Sequence, residues 1–296
     1  MADVSVIVVT LNSMPYLERC LESVAGYEVV VVDHGSTDGS VELVRERFPE
    51  ARLLEQENLG FGAGMNAGMR AAGGRYFLLL NADAWAVGDA VERLRAFADE
   101  HPEAGVVGPR LLHPDGSLQP SVRGFPTLWR VATEYFFLRK LAPRSRLFNA
   151  FYGAGFDHRS VREAEWLGGA CLLVRREAVE AVGPFDEDFF LFSEEVDWCY
   201  RFNRAGWKVL FYPGAEFVHV IGAAYNPKLF DELVRGHLRY FAKHRGPRDA
   251  ERLRRLLLAA LRLRGLVFRG ERGAMYRRAA HLLTSGSVET LLGEGR

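Results

Sequence analysis

Three apolar runs govern what this chain can fold into. Val4–Thr10 (VSVIVVT), Glu28–Asp33 (EVVVVD) and Tyr76–Leu80 (YFLLL) are almost unbroken and rich in β-branched or large side chains. A strand with one wet face alternates apolar and polar residues, so a continuous run marks a strand covered on both faces, as in a parallel sheet. The stretches between them read as helices. Ser13 is placed to cap a helix over Pro15–Val24, with Pro15 near its start. A turn at 35–40 (GSTDGS) leads into a helix over Val41–Phe48, Arg52–Glu55 is a short strand, and Gly64–Ala72 is helical. This β-α-β-α-β-α-β order predicts an α/β fold, a doubly wound and mostly parallel sheet flanked by helices.

Beyond a helix over Gly88–His101, residues 105–165 carry several Pro and Gly and no clear period. They read as an irregular excursion able to shape an acceptor pocket. Order returns with a strand at Cys171–Arg175, helices over Arg176–Val182 and Glu194–Ala205, and a strand at Lys208–Tyr212. From about Leu229 the chain is helical and basic, with breaks expected near Gly246-Pro247, Gly265 and Gly270. The expected organisation is a domain over 1–226, with a nucleotide-binding half at 1–104 and an acceptor half at 105–226. A basic helical extension follows over 227–296.

Formal net charge is zero over 296 residues, so no global field draws the chain to nucleic acid. The balance is uneven: from Pro227 onward about 16 Lys and Arg face about 7 Asp and Glu. No apolar stretch reaches the roughly 18–20 residues of a spanning helix. Met1-Ala2-Asp3 leads straight into the first strand without a signal-peptide pattern. Cys20, Cys171 and Cys199, an odd set without CxxC spacing, read as buried thiols of a reducing compartment. Together these features predict a cytoplasmic protein. The segment Leu253–Arg264 could lie on an anionic membrane surface, making the protein peripheral at the inner face. The competing expectation packs that helix on its own domain or against a second copy in a homodimer.

In an open parallel sheet, ligands bind beyond the carboxyl ends of the strands. The polar residues delivered there are Thr10 and Asn12, then Asp33, His34 and Ser36, then Asn81 and Asp83, with His219 after the late strand. Asp33 can accept from a base N–H or a ribose hydroxyl, or serve as a turn or cap residue. The Gly-rich stretch 58–68 opens a helix and could bring backbone close to a nucleotide, but its spacing is not GxGxxG. Asn81 and Asp83, spaced i and i+2, point the same way in an extended segment and could share a hard cation. Asn81, being neutral, could instead contact the donor. Glu194, Glu195 and Asp197 crowd the first turn of a helix behind the aromatic run 189–192. They complement the helix dipole or supply a general base. His219 on an apolar stretch is a core residue unless the fold brings it a partner such as Asp83.

Taken in order, VSVIVVTLN (4–12), VVVVDHGSTDGS (29–40), ENLGFGAGMNAG (57–68), LLLNADA (78–84), WLGGACLLVRREA (166–178), GPFDEDFFLFSEEVDWCYR (183–201) and HVIG (219–222) resemble the family 2 glycosyltransferases of the GT-A fold. The bacterial rhamnosyltransferase-like branch is the most similar. The resemblance spans about three quarters of the chain. It implies that Thr10, Asn12, Asp33 and Ser36 surround the base and ribose of a nucleoside-diphosphate sugar. It also implies that Asn58, Gly60, Phe61 and Asn66 lie near the nucleotide and donor sugar, with Asn81 beside the donor. Asp83 matches the acid of a DxD-type metal motif and His219 a histidine completing the site, for Mg²⁺ or Mn²⁺. Trp166, Gly169 and Ala170 would line the meeting place of donor and acceptor. Glu195 falls at the catalytic base. The sequence departs from the pattern at His34, at Asn81-Ala82 and at Glu195, where Asp is usual, so the base stays open among Glu194, Glu195 and Asp197.

The implied activity is transfer of a sugar, with dTDP-rhamnose the first candidate donor, to a glycan or lipid-linked acceptor by metal-assisted inverting displacement. A sugar nucleotidyltransferase would want a basic Gly-rich loop after the first strand, which Leu11–Pro15 lacks. A non-catalytic sugar-nucleotide-binding protein would have lost the carboxylates, which are present.

Overall fold

The computed structural model describes residues 3–145, 147–149, 151, 153, 155–220 and 229–293. The chain divides into two compact units that do not follow chain order. The first holds the described residues of Met1–Arg123, Asp157–Phe190 and Glu194–Ile221; the second those of Gly124–Phe156, Leu191–Ser193 and Gly222–Arg296. The expected boundary at 226/227 and the last two residues of the motif at 219–222 lie outside the described residues.

The first unit opens with β1 (Val4–Thr10), α1 (Met14–Glu22), β2 (Glu28–Asp33), α2 (Ser40–Arg47), β3 (Arg52–Glu55), α3 (Phe61–Ala71), β4 (Tyr76–Asn81), β5 (Ala84–Ala86) and α4 (Ala90–Glu100). Next come β6 (Ala104–Leu112), β7 (Leu118–Gln119) and β8 (Val122–Arg123), and the second unit contributes α5 (Leu128–Tyr135). The first unit resumes with β9 (Arg162–Glu163), β10 (Trp166–Leu167), β11 (Cys171–Arg175), α6 (Arg176–Val182), α7 (Glu194–Arg204) and β12 (Lys208–His219).

One sheet runs β3-β2-β1-β4-β11-β6-β12-β5, with β7 joined to β6 and β9 to β12. The strands β1 to β4 are parallel, as the apolar runs require. Strand β11 is antiparallel to β4 and β6, whereas β12 runs parallel to β6. The sheet is therefore mostly parallel only in its first half. Val6, Ile7, Val8, Val30, Val31, Val32, Leu78 and Leu80 are all fully buried, so the continuous runs are covered on both faces.

The expectation of an irregular excursion from residue 105 is corrected. Nine residues there, AGVVGPRLL, form β6 inside the sheet. Its glycines are packing residues: a Cβ on Gly108 would lie 2.7 Å from Leu167 Cδ1, and one on Gly105 3.0 Å from Phe202 Cδ1 and Trp207 Cβ. Strand β12 likewise does not stop at Tyr212. It passes through Pro213-Gly214 as an irregularity, where the pairing with β6 jumps between Tyr212 and Glu216, and ends at His219. A bulge is where a sheet accepts Pro and Gly. Helix α3 starts at Phe61, three residues before the expected start.

The second unit is helical: α5, α8 (Phe230–Arg245), α9 (Pro247–Val267), α10 (Gly270–Leu282) and α11 (Val288–Gly293). Helix α9 runs unbroken through Gly265, against the expected break. Gly265 is buried, and a Cβ there would lie 2.8 Å from Arg277 Cγ of α10. Arg264 is also buried. It donates to the carbonyls of Tyr135 (2.7 Å) and Glu134 (2.8 Å), which close α5, and to Tyr276 Oη (3.2 Å). A guanidinium at a helix C-terminus meets the negative end of its dipole. Arg254 and Arg255 pair with Glu251. The arginines of the 253–264 segment are thus largely committed within the unit. Among the described residues no helix is long and apolar enough to cross a membrane.

Candidate active site

The carboxyl ends of β1 and β2 meet side by side, with Thr10 opposite Asp33. Asp33 splits its two oxygens. Oδ1 accepts from the backbone N–H of Gly35 (2.9 Å) and Ser36 (2.8 Å), the turn role expected of an Asp at this place. Oδ2 is buried without a hydrogen-bond partner, as is Thr10 Oγ1. Asn12, in left-handed backbone with φ 52°, accepts from Thr37 N, and its own N–H donates to Ser36 Oγ. The two strand ends are thereby tied. The expected cap at Ser13 is not made by its side chain; Asp38 instead accepts from Met14 N at 2.9 Å.

Asp33 and Ser36 border an open cavity of about 530 Å³ that is also lined by His34, Glu55, Gln56, Glu57 and Asn58 among others. That volume is in the range of small-molecule sites. The lining has three carboxylates and no Lys or Arg. His34 is held below its ordinary range by burial, against the opposing pull of Asp33 and a hydrogen bond with Asn58. Such a wall accepts N–H and O–H donors and repels phosphate.

Asn58 Oδ1 accepts from Gly60 N, and Phe61 N donates to Phe190 O at 2.9 Å. Gly60 has φ 104°, and a Cβ there would lie 2.5 Å from Phe190 O, so glycine is required. The later glycines serve packing: a Cβ on Gly64 would meet His34 Nε2 at 2.7 Å, and one on Gly68 would meet Ile7 Cγ2 at 2.3 Å. Asn66 is buried and bonded both ways to the Phe185 backbone, with a further bond to Glu187. Its amide fastens α3 to that segment.

At the end of β4 a two-residue turn, not an extended segment, brings Asn81 and Asp83 to one point. Asp83 Oδ1 lies 3.3 Å and Asn81 Nδ2 3.4 Å from His219 Nε2. Pairing of β5 with β12 sets His219 opposite Ala84, and Val220 N donates to Asp83 O at 2.9 Å. Asn81 Oδ1 is buried with no partner.

Sequence reasoning missed Gln119, the residue that orients His219. Gln119 Oε1 lies 2.8 Å from His219 Nδ1, and Gln119 Nε2 donates to His219 O. The amide oxygen can only accept, so Nδ1 carries its hydrogen. In the neutral ring, Nε2 then presents a lone pair towards Asp83. Either a proton on Nε2 or a cation relieves the approach of that lone pair to a carboxylate. Metal-bound histidines are commonly fixed in this way through their other nitrogen. Gln119 lies in the stretch read as irregular, and β7 pairing with β6 is what places it here. Among the described residues no group of three or more His, Cys, Asp and Glu is arranged to hold a metal.

The acid cluster opens α7 behind two non-glycine residues in left-handed backbone, Phe192 (φ 67°) and Ser193 (φ 71°). Such backbone costs about 1–3 kcal/mol per residue and concentrates at functional sites. The three acids diverge. Asp197 is fully buried and accepts from Arg201 Nε at 2.9 Å, an anchor inside the helix. Glu194 is buried, with Cβ 3.9 Å from where a Gly62 Cβ would sit, and its Oε2 has no partner. Burial first, and then the neighbouring Glu195, push its carboxyl well above the ordinary range. Glu195 is only partly buried and lies against Gly169: a Cβ there would be 3.6 Å from Glu195 Cβ and Cγ.

Gly169 opens a segment whose next residue holds the end of β4. The next residue, Ala170, accepts through its carbonyl from Asn81 N at 3.0 Å. Trp166 pairs across from Arg123 in the two-stranded β8–β10 sheet, three residues before the Gly169-Ala170 turn.

An open cavity at the ends of β2 and β3, a carboxylate turn after β4 and an acid-opened helix, carried on this mixed sheet with its flanking helices, are the arrangement of the GT-A fold. Residues 5–164 match the family model "Glycosyl transferase family 2". An N-acetylglucosaminyl-diphospho-decaprenol L-rhamnosyltransferase of Mycobacterium tuberculosis is 35% identical over 238 residues, 74% of this chain and 76% of that one. The chain therefore belongs to glycosyl transferase family 2 and is a glycosyltransferase, similar to the rhamnosyltransferases.

Solved structures agree on the fold. The mannosyltransferase of Pyrobaculum calidifontis in complex with GDP-Man and Mn²⁺ superposes with a TM-score of 0.56 at 20% identity, over 99% of this chain and 79% of that one. TarS 1–349 of S. aureus in complex with UDP-GlcNAc gives 0.55 at 16% identity, over 98% and 82%. GalNAc-T7 with UDP, GalNAc and Mn²⁺ gives 0.60 at 16%, over 81% of this chain and 48% of that one.

Proposed function

We propose that this glycosyltransferase moves a sugar, rhamnose first among the candidates, from a nucleoside-diphosphate donor to a lipid-linked glycan acceptor with inversion. The rhamnose and the lipid-linked acceptor rest on the likeness to the mycobacterial enzyme. The observation that carries the reading is the pairing of Asp83 with His219 at 3.3 Å, with the segment 169–170 lying against Glu195 at one residue and holding Asn81 N at the next.

In this reading the base and ribose occupy the carboxylate-lined cavity. Asp33 Oδ2, buried without a partner, accepts a hydroxyl or N–H group there, with Thr10 opposite it on β1. Ser36, Asn12 and Asn58 hold the wall, and Gly60, Phe61 and Asn66 position α3 behind it. The diphosphate needs positive charge, which this cavity lacks. Asp83 and the lone pair of His219 would hold Mg²⁺ or Mn²⁺, with Asn81 beside them, and donor oxygens and water would complete the shell. When bound, the cation would offset charge developing on the leaving diphosphate.

Glu195 takes the proton of the acceptor hydroxyl as its oxygen bonds to the anomeric carbon from the face opposite the diphosphate. The bond from that carbon to the diphosphate oxygen breaks, and the nucleoside diphosphate leaves. Burial and the neighbouring Glu195 raise the Glu194 carboxyl, which disfavours a second negative charge beside Glu195. Asp197 anchors the helix and takes no part in proton transfer. Trp166, Gly169 and Ala170 line the meeting place of the sugars.

The test uses purified protein, dTDP-rhamnose and a panel of UDP-sugars, with and without Mn²⁺. Glu195→Gln should lose about 10²–10⁴-fold in transfer rate while still binding donor. Asp83→Ala should lose Mn²⁺-dependent donor binding. Near-normal transfer by Glu195→Gln removes Glu195 from the base role, and unchanged donor binding by Asp83→Ala removes the metal role.

A further inference from the structure

The outward face of α9 changes character along its length. Arg252, Arg255, Ala259 and Arg262 are exposed, followed by Leu263 (48% exposed), Leu266 (83%) and Val267 (64%). These residues recur three and four apart on the side opposite the buried Leu257, Leu261 and Arg264. Large apolar side chains at such exposure, three on one helix face, are not the scattered surface leucines of an ordinary protein.

A second segment of the same unit joins them. Phe137, which opens the short 3₁₀ turn Leu138–Lys140, packs its ring 5.8 Å from that of Phe268, the residue after Val267. Leu141, one residue past the turn, is 78% exposed. The aromatic contact thus gathers Leu141 and the Leu266-Val267 pair into one region. Cations surround it: Lys140 lies over Phe137 and Arg272 over Phe268. Arg262 and Arg269 make no ion pair among the described residues. Neither the stretch 252–270 nor 135–156 contains any Asp or Glu.

Exposed leucines flanked by Lys140, Arg262, Arg269 and Arg272, with Glu271 the one acid of the stretch 262–272, match the two components of an anionic lipid surface, acyl chains and headgroups. A protein partner of ordinary mixed charge would need acids here. We infer that Leu141, Leu263, Leu266 and Val267, with Lys140, Arg262 and Arg269, form a docking surface for an anionic lipid bilayer. The inference deepens the proposed lipid-linked acceptor: apolar insertion and basic attraction together hold the enzyme where such an acceptor resides. Neither component is strong alone, since stable attachment takes both.

The test is co-sedimentation of the full-length protein, without donor or acceptor, with vesicles of phosphatidylcholine and phosphatidylglycerol in equal parts and with phosphatidylcholine alone. The wild type should pellet with the mixed vesicles, not the neutral ones, and binding should fall as salt is raised. Leu266→Glu/Val267→Glu and, separately, Arg262→Glu/Arg269→Glu should each lower vesicle affinity at least tenfold. Circular dichroism and donor hydrolysis should be unchanged, since all four residues are exposed and lie outside the catalytic machinery. Equal pelleting of wild type and both variants overturns the surface. So does failure of the wild type to pellet at low salt, or a dimer in sedimentation equilibrium that Leu266→Glu/Val267→Glu dissociates, which would assign the patch to a second copy. Donor hydrolysis is scored on the same preparations, so loss of lipid binding is separable from failure of the transferase reading.

Discussion

At Asp33 one carboxylate oxygen accepts two backbone N–H groups while the other lies buried with nothing to bond. The turn reading of this residue is met through Oδ1, which leaves Oδ2 as the acceptor that the proposed ligand role calls for. Gln119 illustrates the opposite case, a residue whose hold on His219 has no local signature. Replacing it by Met removes the acceptor for His219 Nδ1 and frees the ring. Isothermal titration with Mn²⁺ should record roughly a 10–100-fold loss of affinity for Gln119→Met; unchanged affinity would mean that Gln119 does not orient a metal ligand. Glu194 makes a prediction in pH. Its folded-state carboxyl is raised, by burial and then by Glu195, above the value of about 4.3 it has when unfolded. The folded protein thus binds a proton that the unfolded chain releases. The resulting stability is complete below the unfolded pKa and is lost as pH rises towards the folded one. Urea unfolding across this range should show a decline with pH that is smaller in Glu194→Gln, which keeps the shape and cannot ionise. An identical slope in the two proteins would place Glu194 outside the linkage.

Among the elements, β1, β2 and β4 were legible because burial on both faces leaves a one-dimensional mark, a run without polar residues. The strands β6 and β12 were not, because each carries Gly and Pro where the structure uses them for close approach or a bulge. A glycine required for packing and a glycine required for a turn look alike in sequence; what distinguishes them is the atom lying opposite. Gly68 is such a packing position. Gly68→Ala would put a methyl 2.3 Å from Ile7 Cγ2, on a β-branched side chain in the middle of the sheet. The substitution should destabilise the protein by about 1–3 kcal/mol in urea unfolding, although alanine is the better helix former. A neutral or stabilising result would show that α3 can lift from β1 without cost. The acids opening α7 teach the same lesson, since helix-dipole preference suits all three but burial and neighbours give each different surroundings.

For the molecule as a whole, the segment 124–156 belongs to the same compact unit as the C-terminal helices. Val131 and Tyr135 of α5 are buried there, and α9 contributes Leu253, Leu257 and Leu261. Arg264 binds the last carbonyls of α5. Truncation before Leu229 should therefore not yield an independent catalytic domain. The shortened chain should bind the dye ANS and aggregate; a soluble fragment with an intact cooperative transition would mean that 124–156 needs no helical partner. The amino-acid sequence by itself determined the parallel half of the sheet, the strand ends where polar residues collect, and the family. It could do so because periodicity and motif order are properties of neighbours along the chain. Only the tertiary structure decided that Gln119 holds His219, that Glu195 rather than Asp197 faces Gly169, and that the exposed leucines of α9 gather with Leu141. Those pairings join residues far apart in sequence, and contacts across such separations leave no trace in local composition.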